Sequence, residues 1–199
     1  TDGYHDLNTL FYPVVSLYDC LECAPANSFS FKSYGATIDG NPEKNLCVLA
    51  YNLLKEDFDI APVSIVLYKN IPIGAGMGGG SSDGAFTLKL LNDFFSLGLT
   101  NERLAEYAIK LGSDCPFFIY NKPCIAEGRG EILKEFTGLS LKNLYLIVVK
   151  PPSNVSTAEA YSKIKPLVPE IKLSEVLKMP VYEWKNYLFN DFEKTVFPS

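Results

Sequence analysis

Apolar and polar positions alternate through residues 7–35, and many of these side chains are β-branched or aromatic. A period of two lines one face of a half-buried sheet. Two or three strands are expected there, Leu7–Val15, Asp19–Cys23 and Ser28–Tyr34. The period then changes. Asn41-Pro42 opens a helix with proline in its first turn, a favoured position. Leu46, Leu49, Ala50 and Leu53 follow on one helical face. Val63–Tyr68 is a short apolar strand after Pro62. Asp83–Leu97 reads as a helix apolar almost all round (Ala85, Phe86, Leu88, Leu90, Leu91, Phe94, Phe95), and such a helix should be buried. Thr100 caps a further helix with Leu104, Tyr107, Ala108 and Leu111 on one face. Beyond it, Pro116–Tyr120, Pro123–Glu127, Glu131–Phe136 and Leu144–Val149 read as strands, with Gly128-Arg129-Gly130 as a turn. Ser156–Ile164, Leu173–Lys178 and Trp184–Phe192 read as helices. The double proline Pro151-Pro152 marks a domain boundary, giving residues 1–150 and 151–199.

Composition narrows the classes of function. The chain has 199 residues, 47% of them apolar and 21% charged. A chain of this size buries about 70% of its unfolded surface, so it needs no disulfide or metal to fold. The net charge is −5, which argues against a general nucleic-acid binder. No run of 18 apolar residues is present, so a transmembrane helix is not expected. The five cysteines, Cys20, Cys23, Cys47, Cys115 and Cys124, are an odd number. Without a secretory signal this reads as free thiols in a reducing cytosol. Cys20 and Cys23 have metal-ligand spacing, but no second pair exists and strand residues three apart face opposite ways. The chain opens on Thr1 rather than Met and stops just after an apolar helical stretch. Both ends read as those of a fragment.

The chemistry concentrates in Pro72-Ile73-Gly74-Ala75-Gly76-Met77-Gly78-Gly79-Gly80-Ser81-Ser82, between a strand and a helix. Glycine lets the backbone take positive φ and approach a ligand closely. Several amides can then converge on one anion, helped by the start of the following helix. A phosphate site is the physical reading, and a flexible linker the bland one. Gly74, Gly76 and Gly79 satisfy the dinucleotide spacing, but a Rossmann unit needs a second strand after its helix and here a second helix follows. A P-loop needs Lys then Ser or Thr after its last glycine, and Gly80 is followed directly by Ser81.

This loop resembles the ATP-phosphate loop of the GHMP kinases at Pro72, Gly76, Gly78, Ser81 and Ser82. The triple glycine narrows the likeness. Together with Asp2-Gly3-Tyr4-His5, Gly112-Ser113-Asp114-Cys115-Pro116-Phe117-Phe118 and Glu127-Gly128-Arg129-Gly130-Glu131, it resembles the 4-diphosphocytidyl-2-C-methyl-D-erythritol kinase branch. The resemblance implies an α+β fold in two lobes, with the nucleotide between them and the second lobe incomplete. It implies ATP-dependent phosphorylation of the erythritol 2-hydroxyl in the non-mevalonate isoprenoid pathway, in the cytoplasm, on a small cytidine diphosphate substrate. Another GHMP kinase acting on a different alcohol, or a catalytically dead nucleotide-binding module, are the competing readings.

The same resemblance implies roles. Asp114 matches the catalytic aspartate, although Gly112-Ser113-Asp114 is by itself only a polar turn. A carboxylate there can accept the proton of an attacking alcohol. The family lysine that partners it would precede Thr1, and the superfamily's carboxyl-terminal Gly-rich motif is missing. Residues 72–82 would bind ATP, with Asn45 and Lys69 near the adenine; Lys69 could instead be solvated. Tyr4, His5, Thr157 and Tyr161 would meet the substrate, Tyr161 by stacking on cytosine. The bland alternatives are a surface turn for His5 and core packing for Tyr161. Mg²⁺ would accompany ATP to neutralise phosphate charge. The only protein groups the loop offers it are the hydroxyls of Ser81 and Ser82.

Overall fold

The structure, a computed structural model, describes residues 6–141, 143–151, 160, 161, 164 and 167–196. In chain order the strands are β1 (Leu7–Phe11), β2 (Cys20–Pro25), β3 (Ser30–Gly35), β4 (Val63–Lys69), β5 (Cys124–Gly128) and β6 (Ile132–Glu135). The helices are α1 (Leu46–Asp57), α2 (Gly79–Phe94), α3 (Asn101–Leu111), α4 (Cys115–Tyr120), α5 (Leu173–Val176), α6 (Val181–Trp184) and α7 (Glu193–Val196). This is the α+β class expected. Contacts divide the chain into two compact units, Tyr12–Lys122 and the segments on either side of it.

In residues 12–122 the central strand is β4, antiparallel to β2 and parallel to β3. Alternation along β4 is strict. Val63, Ile65 and Leu67 are fully buried, while Tyr68 is exposed. The inward face meets Ala50, Tyr51 and Leu54 of α1, Ala85, Leu88 and Leu91 of α2, and Leu104, Tyr107 and Ala108 of α3. Each large aliphatic side chain so enclosed contributes roughly 1.5–3 kcal/mol. In the other unit, β5 lies between β1 and β6, antiparallel to both. Ile125 packs there with Leu173 and Leu177. Gly128-Arg129-Gly130 makes the expected turn, with both glycines at positive φ and the Arg129 amide donating to Glu131 Oε2 at 2.7 Å.

Several expected elements differ. Pro116–Tyr120 is not a strand but lies in helix α4, whose first turn takes Pro116 without loss of a helical hydrogen bond. The apolar run Pro-Phe-Phe-Ile-Tyr is short enough to suit either element, so periodicity could not decide. Leu144–Val149 forms no strand among the described residues; Tyr145 and Ile147 are 97% and 86% exposed. The helix expected from Asn41 begins later. Asn41 caps a 3₁₀ turn at Pro42–Lys44, and a second asparagine, Asn45, caps α1 by accepting from the Cys47 amide at 2.9 Å. Its buried residues are Cys47, Val48, Ala50, Tyr51 and Leu54, turned from the expected face, and Leu49 is exposed. Helix α2 starts four residues before Asp83, and Phe86 and Phe94 reach solvent. Thr100 caps α3 as expected. Trp184–Phe192 is not one helix: α6 ends at Trp184 and turns lead to α7. The expected helix Ser156–Ile164 lies mostly outside the described residues; Ala160 and Tyr161 within it are helical.

Gly84 is where α2 meets its neighbours. A Cβ there would stand 2.9 Å from Leu46 Cβ and 3.3 Å from Leu111 Cδ1. Overpacking a tight contact costs about 1–3 kcal/mol. Gly84→Val should lower unfolding free energy by that amount in a urea titration. A value within about 0.5 kcal/mol of the parent, the range of neutral surface changes, would show that the helices part freely.

Candidate active site

The glycine loop leaves β4 at Lys69 and enters α2 at Gly79. Gly74, Gly76 and Gly78 all take positive φ, at 67°, 68° and 67°. Three turns of the backbone into the left-handed region within five residues explain why the sequence is glycine at these positions. Gly78 is the N-cap of α2 and supplies no capping side chain. The first amides of that helix therefore have no intrahelical acceptor and point from its positive end. Space is open in front: a Cβ on Gly76 or Gly80 would meet nothing within 4 Å.

Helix α4 brings the Gly-Ser-Asp motif to the same place. A Cβ on Gly78 would lie 2.9 Å from Phe118 Cζ. The Cys115 thiol meets the Ser81 side chain, and burial pushes that thiol up to about 11, so it is not a nucleophile at neutral pH. Asp114 immediately precedes it. Its carboxylate is exposed, is not spent on capping α4, and among the described residues accepts a long bond from Ser113 Oγ at 3.4 Å.

Lys69 is neither solvated nor free. Only 5% of its side chain is exposed, and its ammonium donates to Asp83 Oδ2 at 2.7 Å and to Asp19 Oδ2. Asp19 Oδ1 accepts the amides of Asn70 and Ile71, at 2.6 and 2.7 Å. Burial opposes charge on every member. For Asp19 the bonds from Lys69 and the two amides outweigh burial, and its carboxyl sits below the usual range. For Lys69 the two carboxylates outweigh burial and raise it. Asp83 has fewer partners. Burial wins there and pushes its carboxyl up to about 7, with the neighbouring Asp19 adding to the rise.

Asn45 is occupied as the α1 cap, and its neighbour Leu46 touches α2 at Gly84. Tyr161 lies in the other unit, its ring edge-on to Phe192 at 5.0 Å. Tyr4, His5 and Thr157 lie outside the described residues. Among the described residues no cluster of three His, Cys, Asp or Glu could hold a metal, all five cysteines are free, and no helix is long and apolar enough to cross a membrane. Sequence reading gave Asp19 and Asp83 no role. Their signal was present but weak: an acid opening a largely apolar helix, and another opening a strand.

Residues 45–122 match the family model for the GHMP kinases N terminal domain. Over 202 aligned residues the whole chain is 54% identical to a 4-diphosphocytidyl-2-C-methyl-D-erythritol kinase of Bacteroides fragilis and spans 73% of that protein. The chain belongs to the 4-diphosphocytidyl-2-C-methyl-D-erythritol kinase family. As a member of it, the protein is an ATP-dependent kinase. A member from Cytophaga hutchinsonii is 43% identical over 98% of this chain and 72% of its own length. The crystal structure of a 4-(cytidine 5'-diphospho)-2C-methyl-D-erythritol kinase superimposes with a TM-score of 0.75 at 29% identity, covering 99% of this chain and 70% of the other. A homoserine kinase from Cytophaga hutchinsonii shares the fold at 14% identity and a TM-score of 0.56, over 87% of this chain and 59% of its own.

The raised Asp83 carboxyl has a signed consequence. Between its ordinary value of 3.8 and about 7 the folded kinase holds a proton that the unfolded chain has released. Stability from this group is therefore complete below pH 4 and is lost as pH rises toward 7. The loss is about 1.4 kcal/mol per pH unit in the middle of that window. Unfolding titrations at pH 5, 6 and 7 should show this slope in the parent and not in Asp83→Asn. Equal slopes in the two proteins would contradict it.

Proposed function

We propose that this kinase transfers the terminal phosphoryl group of ATP to the 2-hydroxyl of 4-diphosphocytidyl-2-C-methyl-D-erythritol, a step of non-mevalonate isoprenoid synthesis, in the cytoplasm. The observation that carries the reading is the meeting of an uncapped, glycine-lined helix start with the Gly-Ser-Asp turn, through Ser81 and Cys115 and through Gly78 and Phe118. An anion site and a carboxylate on one side of residues 12–122 are the two parts that phosphoryl transfer to an alcohol requires. Family membership at 54% identity over the whole chain supplies the substrate.

In this reading residues 72–82 cradle the phosphates through backbone amides. ATP supplies the phosphoryl group. Asp114 accepts the hydroxyl proton as attack proceeds; its exposed, uncapped carboxylate leaves it accessible. Mg²⁺ would offset phosphate charge, with the hydroxyls of Ser81 and Ser82 as the loop's oxygen donors. Asn45 keeps its Nδ2 group for the adenine, since Oδ1 is committed to Cys47. Tyr4, His5, Thr157 and Tyr161 contact the cytidine end, where a stacked ring is worth about 1–3 kcal/mol. No nucleic acid or membrane enters the scheme.

Asp114→Asn in the full-length enzyme should lower kcat by about 10²- to 10⁴-fold while both Michaelis constants stay near parental values, measured by coupled ADP release. Parental kcat in that variant would remove Asp114 from the mechanism.

Gly76→Ala isolates the loop, because its new methyl meets nothing within the protein. Strain at positive φ costs about 1–2 kcal/mol, and the methyl also enters the phosphate space. ATP affinity by calorimetry should fall at least about tenfold, equivalent to 1.4 kcal/mol, with substrate affinity retained. Unaltered ATP affinity would count against the loop as the phosphate site.

A further inference from the structure

The glycine loop has few side chains with which to hold itself, so its position depends on how its two ends are fixed. Both ends lead to one residue. At the entry, Asp19 Oδ1 accepts the consecutive amides of Asn70 and Ile71. Its other oxygen accepts from the Lys69 ammonium. That ammonium lies directly beneath the exit: a Cβ on Gly79, the first residue of α2, would stand 2.9 Å from Lys69 Nζ. Lys69 then reaches Asp83 Oδ2 within the second turn of the same helix. The Asp19 side chain is only 4% exposed and lies just before β2, some fifty positions ahead of the residues it ties down.

We infer that Asp19 is a positioning residue of this kinase: through Lys69 and two backbone amides it clamps both ends of the glycine loop and so sets its affinity for ATP. The inference rests on reading that loop as the phosphate site. Asp19 touches no ligand in this arrangement. It acts by holding Asn70, Ile71 and Gly79, the two ends of the loop, in place. A carboxylate suits the task because only an ionised acid accepts two amides and an ammonium at once. Coupling of this kind is reciprocal, so ATP must tighten the clamp as much as the clamp favours ATP.

The test uses the full-length enzyme, with ATP and the cytidine diphosphate substrate titrated separately by calorimetry. Asp19→Asn keeps the shape and removes the charge. It should weaken ATP about tenfold, within the usual span of coupling between sites, and leave substrate affinity unchanged. Lys69→Met should act in the same direction, and the double variant should be no worse than the weaker single variant, because both break one clamp. Parental ATP affinity in Asp19→Asn, or equal weakening of both ligands, would overturn the inference. A parent that binds no ATP would remove the phosphate-loop reading and this one together; normal parental binding with an indifferent Asp19→Asn removes this one alone. Should Asp19→Asn not fold, the parent itself decides. A non-hydrolysable ATP analogue should slow hydrogen exchange at the Asn70 and Ile71 amides by about tenfold, and no change there would equally refute the clamp.

Discussion

Lys69 is a cation shut into the interior between two carboxylates, and the candidate site is arranged around that fact. An ammonium removed from water is costly unless it is paired and hydrogen-bonded. Here one acid comes from the start of β2 and the other from the second turn of α2, with the lysine on the last residue of β4. Three elements distant in sequence are thereby pinned at one point. Two acids and one base leave an excess negative charge. The fold resolves it by stabilising Asp19 with amides and leaving Asp83 to bind a proton near neutrality. Removing Lys69 or Asp19 from such a buried set costs about 3–5 kcal/mol, because an unbalanced charge is left behind.

The surroundings support the same point from other directions. The carbonyl of Lys69 accepts the Ala36 amide at 2.9 Å, and Gly35 must lack a side chain because a Cβ would fall 2.2 Å from that carbonyl. The strand end is thus held by β3 as well as by its ions. On the other side, Gly84 lets α1 approach α2 closely, and Phe118 covers Gly78. A loop this rich in glycine is flexible by composition. Its rigidity is supplied by the packed strand, helix and ion set beneath it, which is the form of preorganisation that lowers the cost of binding charge.

Much of this was legible in the sequence, for identifiable reasons. Period-two alternation located β1 to β3, and a short apolar run after Pro62 located β4, the strand buried on one face. The glycine spacing and the Ser-Ser pair marked out the loop because few other residues take positive φ, whereas Asp114 was picked out only through the family resemblance. Helix α4 was misread because Pro-Phe-Phe-Ile-Tyr is apolar throughout and has no period. Leu144–Val149 was misread because propensity does not provide a ladder partner. The start of α2 was placed late because a glycine-rich first turn reads as loop. Lys69 is the instructive case. Its proximity to the loop was visible, but its burial depends on Asp19 and Asp83, and no local pattern joins residues so far apart.

In the proposed reaction the glycine loop and Asp114 act together in phosphorylating one particular alcohol. The most direct measurement is phosphorus NMR of the product formed by the full-length enzyme from ATP and 4-diphosphocytidyl-2-C-methyl-D-erythritol. A new phosphomonoester resonance at the 2-position is expected, growing in step with ADP, with the cytidine diphosphate signals intact. Homoserine or mevalonate phosphorylated in its place, or no phosphomonoester at all, would contradict it.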